Sequence, residues 1–167
     1  TSTDGGSTST RSTTYPGAGR PSTAGDTGTT FDASSRQIYN RLVEFERGTT
    51  KLIPGLAESW DVSADGKAYT FKLRRGVKFQ TASGFTPTRD FNAEDVLFSM
   101  NRQWKADHPF NKVSGGRYEY FNSMGLPAIL QSIDKVDDYT VRFTLKEPEA
   151  PFLADLAMSW GSIVSAE

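Results

Sequence analysis

Apolar and polar residues alternate along Tyr69-Thr70-Phe71-Lys72-Leu73, a period of two that puts the large side chains on one face of a strand and leaves Lys72 and Arg74 in water. Trp60 and Val62 carry the same alternation upstream. Between the two runs, Ser63-Ala64-Asp65-Gly66-Lys67 supplies the aspartate and glycine that a tight turn uses. The stretch from Pro54 to Phe79 therefore predicts a β-hairpin. A second hairpin is predicted from Ile133 and Val136 on one arm, Asp137-Asp138 at the turn, and Val141, Phe143 and Leu145 on the other arm.

Helical spacing appears in three further places. Ile38, Leu42 and Phe45 predict an amphipathic helix over 32–45, with Asp32 or Ser34 as its N-cap. The strongest signal is at 93–106: Asn92 is a good N-cap, Glu94 and Asp95 lie in the first turn, and Asp95 is placed to reach back to the cap. Val96, Leu97, Met100 and Trp104 then form one apolar stripe. Pro151 opens a third helix over 151–160, in which Phe152, Leu156 and Trp160 recur every fourth residue. A shorter helix is expected from Pro127 to Ile133. Gln80 to Asp90 reads as a surface loop, His108-Pro109 as a helix stop, and Gly115-Gly116 as a flexible pair. Together these elements predict an α/β (α+β) fold, a mixed or antiparallel sheet of about four to six strands with helices packed on it.

Residues 1–30 are almost entirely Thr, Ser, Gly, Ala and Pro, with no aliphatic side chain larger than alanine. Such a segment cannot bury enough apolar surface to offset its backbone entropy, about 1–2 kcal/mol per residue, so 1–30 is expected to be a disordered low-complexity stretch and 31–167 the folded domain. A length of 167 residues suffices for one ordinary domain with its own core.

Charge and composition narrow the chemistry. Lys and Arg total 19 against 20 for Asp and Glu, a formal charge of -1 that gives no field to gather nucleic acid or an anionic membrane. No apolar run approaches the ~20 residues that span a bilayer, and 1–30 has no apolar core of a signal peptide. The absence of cysteine removes disulfides, thiolate catalysis and Cys-based zinc sites. The lone histidine, His108, precedes a proline in a polar stretch and reads as a solvent-facing loop residue. Asp137 and Asp138 are adjacent, so their side chains diverge rather than share a proton. Gly115-Gly116 lacks the Lys-Ser/Thr of a phosphate loop. Arg74, Arg75 and Lys78 fall on the wet face. No catalytic residue, metal ligand or cofactor is assigned, and the expectation is a binding protein rather than an enzyme.

Several segments together resemble one family. They are Pro54-Gly-Leu-Ala-Glu-Ser-Trp60, the Asp65-Gly66 turn, Arg74-Arg-Gly-Val-Lys-Phe79, Asn92-Ala-Glu-Asp-Val-Leu-Phe-Ser99, Lys112-Val-Ser-Gly-Gly116, Tyr118-Glu-Tyr-Phe121 and Pro148-Glu-Ala-Pro-Phe-Leu-Ala-Asp-Leu-Ala-Met158. The chain from about Gly28 onward is similar to the family 5 extracytoplasmic solute-binding proteins of peptide ABC transporters, in particular the dipeptide-binding branch and its haem-binding relatives. The resemblance implies a type II periplasmic clamshell, of which 31–167 is the peripheral domain with the edge of the large lobe. Family members run roughly three times this length, so the resemblance implies an N-terminal fragment. Residues 1–30 depart from the family, whose mature chain opens with an apolar strand and an Asn-Pro loop.

The implied function is capture of dipeptides or short oligopeptides outside the cytoplasmic membrane and delivery to a permease, by a periplasmic monomer. Haem as ligand, or a non-transport interaction or sensory role, are the alternatives. The resemblance also implies ligand contacts. Asp26, Gly28 and Thr29 match an early loop running alongside the peptide, and Phe110 matches an aromatic, usually tyrosine, that closes over it. The residues that grip the peptide termini belong to the second lobe.

Overall fold

The structure is a computed structural model and describes residues 38–113 and 115–167. Strands β1 (Val43–Phe45) and β2 (Leu52–Pro54) form a two-stranded antiparallel ribbon. Strands β3 (Ala57–Val62), β4 (Ala68–Leu73), β5 (Leu130–Asp137) and β6 (Thr140–Leu145) form a four-stranded antiparallel sheet in the order β3-β4-β6-β5. Both predicted hairpins are present, joined by the central pairing of β4 with β6.

The alternation read in the sequence is what gives the sheet one apolar face. Tyr69, Phe71 and Leu73 of β4 and Val141, Phe143 and Leu145 of β6 are all buried. Phe71 meets Phe143 edge-on at 5.6 Å, and Trp60, opposite Phe71, packs against the same interior. Each such fully buried phenylalanine contributes about 1.5–3 kcal/mol relative to an exposed one. Val62, beside the first hairpin turn, and Val136, at the irregularity between Lys135 and Asp137, stay exposed. The edge strands are irregular: the register shifts between Ala57 and Ser59 in β3, and twice in β5, at Leu130/Ser132 and Lys135/Asp137.

The turns use the chemistry expected of them. The Ser63 hydroxyl and the Lys67 amide both donate to Asp65 Oδ1, and Gly66 takes a φ of 70°. In the second hairpin the Tyr139 amide donates to Asp137 Oδ1 at 2.8 Å, while Asp138 pairs with Lys135 at 2.8 Å. Asp138 and Glu94, in that order, hold the Lys135 ammonium above the usual lysine range.

Helix α1 (Ala93–Trp104) lies across β5 and β6. Its N-terminus is a complete capping box: Asn92 Oδ1 accepts from the Glu94 amide, and the Asp95 carboxylate accepts from the Asn92 amide at 2.9 Å. Val96 and Met100 are buried in the core, with Leu97 and Trp104 packed at its margin. The helix ends at Trp104, two residues short of the expected 106, because Lys105 turns to extended backbone. Short helices α2 (Glu119–Ser123) and α3 (Leu126–Ile129) follow, the first not predicted. The Pro127 helix stops at Ile129 because Leu130 already pairs with Leu145, which draws Ile133 into the sheet.

Two predicted helices need correction. Beyond Ile38 the expected helix over 32–45 is absent, and Val43–Phe45 is strand. The carbonyls a helix would spend on amides four residues ahead are used elsewhere: Arg41 O accepts from Leu56 N, and Leu42 O from Gly55 N and Ala57 N. Gly55 permits this approach, since a Cβ there would stand 2.4 Å from Arg41 O. The helix expected over 151–160 is α4 (Phe152–Leu156) followed by a 3-10 turn, Ser159–Gly161. Gly161 folds back so tightly that a Cβ would lie 2.4 Å from Leu156 O. Phe152 anchors α4 to the sheet, 4.7 Å from the Tyr69 ring and 5.8 Å from that of Phe143.

Candidate binding surface

After Gly161 the chain runs extended along α1, and two hollows open on either side of it. The first, about 460 Å³, is lined by Tyr39, Arg102, Arg117, Tyr118, Tyr120 and Trp160, among others. The second, about 410 Å³, is more apolar and is bounded by Phe79, Phe85, Phe91 and Ile163. Tyr39 and Val164 line both.

The first hollow is built from the least regular part of the fold. Phe121, the one buried residue of α2, packs edge-on against Trp160 at 5.4 Å and so carries Trp160 into place. The Tyr118 hydroxyl donates to Asn111 O at 2.9 Å, and Asn111 Nδ2 donates to Arg102 O at 2.8 Å, which ties the Gly115-Gly116 loop to α1. Both glycines have positive φ, 81° and 66°. Two donors here are buried without a hydrogen-bond partner among the described residues, Trp160 Nε1 and Arg102 Nε. Unmet N–H groups of this kind cost about 1–3 kcal/mol each. Among the described residues no group of three His, Asp or Glu side chains is arranged to hold a metal ion.

The residues singled out from the sequence fare unequally. Asp26, Gly28 and Thr29 lie outside the described residues. Phe110 is 51% exposed and sits beside the hollow rather than in its lining, its ring 5.3 Å from Phe98 and 6.2 Å from His108. His108 is in a loop as expected, half-buried with its ring 5.4 Å from that of Phe98 on α1. Arg74, Arg75 and Lys78 are exposed as expected, yet engaged: Arg74 Nε donates to Gly55 O, Arg75 lies 4.1 Å over the Tyr139 ring, and Lys78 pairs with Asp90. Tyr39, Arg102 and Trp160 carried no sequence signal of their own as site residues. Tyr118 did stand in a quoted motif, but only its loop context puts it at the hollow.

The profile of bacterial extracellular solute-binding proteins, family 5, matches residues 51–167. The chain belongs to this family. As a family 5 chain it is 62% identical over 140 residues to the dipeptide-binding protein of Escherichia coli K12, a match covering 84% of this chain and 26% of that protein. It is 57% identical, over the same shares of both chains, to heme-binding protein A of Haemophilus influenzae. The solved structure of a dipeptide-binding protein from Pseudoalteromonas sp. SM9913 in complex with Met-Leu superposes with a TM-score of 0.79 at 40% identity, over 84% of this chain and 28% of that one. The chain thus spans about a quarter of the length of these relatives. These family 5 likenesses agree with the antiparallel sheet and packed helices described above, and the relatives are solute-binding proteins. Among the described residues no helix is long and apolar enough to cross a membrane.

Proposed function

We propose that this chain forms one wall of a ligand cleft in a periplasmic solute-binding protein, which captures dipeptides or short oligopeptides and passes them to an ABC permease with no chemistry on the ligand. The observation that carries this reading is the hollow beside α2. It offers aromatic surface from Tyr39, Tyr118 and Trp160 together with the basic residues Arg102 and Arg117. A peptide presents the complementary chemistry, carbonyl and carboxylate oxygens along a chain of apolar and polar side chains. The dipeptide-binding relative at 62% identity supports the ligand class. Within residues 31–167 we read the peripheral domain with the edge of the large lobe, acting as a monomer, and the early loop with Asp26, Gly28 and Thr29 as a further contact, with Phe110 shielding the rim.

Haem is the second reading. The heme-binding relative is 57% identical over 140 residues, nearly as similar as the peptide-binding one, and the basic residues Arg102 and Arg117 suit haem propionates as they suit a peptide carboxylate. Titration of the complete protein with a dipeptide library and with haem separates the two. Micromolar dipeptide affinity, falling at least about tenfold in Tyr118→Ala, is the expected result. A haem Soret shift with no dipeptide binding would replace the peptide reading, and binding of neither would end both.

A further inference from the structure

Helix α1 has a second stripe, opposite in chemistry to the one that packs on the sheet. Asp95, Ser99 and Gln103 follow one another at intervals of four, so they share a face, and all three are buried. Asp95 and Ser99 bond to main chain of the extended C-terminal stretch, and Gln103 to main chain of the 3-10 turn that leads into it. Gln103 Nε2 donates to Trp160 O at 3.0 Å, and the Val164 amide donates to Ser99 Oγ at 2.9 Å. The Ser99 hydroxyl in turn donates to Val164 O at 3.2 Å, and the Ala166 amide donates to Asp95 Oδ1 at 2.8 Å. The stretch runs antiparallel to α1, and the step of two residues from Val164 to Ala166, about 6.6 Å of strand, matches the ~6 Å rise of four helical residues from Asp95 to Ser99. One main-chain bond holds the other side, Ile163 N to Asn40 O at 3.0 Å.

The stretch so held is the partition between the two hollows: Trp160 lines one, Ile163 and Ser165 the other, Val164 both. Ser99 itself lines neither. We infer that Ser99 is a positioning residue for ligand binding, fixing the Trp160–Val164 partition from behind through its two bonds to Val164. The inference rests on reading the first hollow as the ligand wall. Because every bond from α1 goes to main chain, it constrains the path of the stretch independently of its side chains, and Ser99, which both donates and accepts, has no apolar substitute.

The test is Ser99→Ala in the complete protein, read by amide exchange and by dipeptide titration, with Ile133→Val as a control that loosens the sheet core instead. The Val164 and Ala166 amides should exchange about ten- to a hundredfold faster in the Ser99 variant, while those of Phe71 and Phe143 hold their parental rates. Dipeptide dissociation constants should rise severalfold in Ser99→Ala and stay near parental in the control. Ser99→Cys, a weaker hydrogen-bonding group, should fall between, and it decides the matter alone if the alanine variant does not fold. Parental protection at Val164, sheet amides loosening in step with it, or a loosened Val164 with unchanged affinity would each overturn the inference. If the parent binds no dipeptide, the ligand reading fails, whereas the exchange result still reports on how the partition is held.

Discussion

Asp155 sits half-buried in the first turn of α4, where burial first and the charge of Glu149 second push its carboxyl above the ordinary range. A carboxyl whose folded pKa is raised favours folding fully only below its unfolded value, and that contribution is lost as pH rises through the folded pKa. Ionised Asp155 is therefore a cost at neutral pH. Asp155→Asn should raise the melting temperature at pH 7 by about 2–4 °C, a gain that vanishes near pH 3, as circular dichroism melts at both pH values would report. Asp65 has the opposite sign, since the Ser63 hydroxyl and then the Lys67 amide hold its carboxyl below the usual range. Its contribution is present above the unfolded pKa and disappears as pH falls through the folded one. Gly55 makes a steric rather than an electrostatic prediction. With Arg41 O only 2.4 Å from the site of a Cβ, Gly55→Ala should cost about 1–3 kcal/mol by urea unfolding, through forced separation of residues 41–42 from β3.

At the level of elements, α1 shows what a sequence discloses and what it conceals. Its cap and apolar stripe are local signals, residues within a turn or two of one another, and Asn92, Asp95, Val96 and Met100 do what their spacing predicts. The Asp95 carboxylate does more. It accepts from both terminal guanidinium nitrogens of Arg89, at 2.7 and 2.8 Å, along with the Asn92 and Ala166 amides, and it is fully buried. Asn92→Ala should cost about 1 kcal/mol, whereas Asp95→Ala should cost about 3–5 kcal/mol because the Asn92 and Ala166 amides and the partly exposed Arg89 all lose their acceptor; equilibrium denaturation of the two variants gives the contrast. Past Ile38, the helix expected over 32–45 gives way for the converse reason. Ile38, Leu42 and Phe45 have helical spacing, but the carbonyls of Arg41 and Leu42 are claimed by residues 55–57, a pairing invisible to any local window.

On the scale of the whole molecule, the sheet was legible because period-two patterning survives in its central strands β4 and β6, and the candidate binding surface was less so because Tyr39, Arg102, Tyr118 and Trp160 come from four separate stretches. Only the folded chain brings them together, whereas Phe110, chosen by likeness, stands just outside. A shallow wall excludes little water from a ligand, so this chain alone should bind dipeptides at least about a hundredfold more weakly than the complete protein, measurable by isothermal titration of both. The sheet's margins carry a different consequence. β3 and β5 are outermost, each bent by a register shift and studded with charge at Glu58, Asp61, Asp134 and Lys135. Neither rim offers a flat row of amides and carbonyls for another copy to extend, so crowding this fold to high concentration should not seed fibrils.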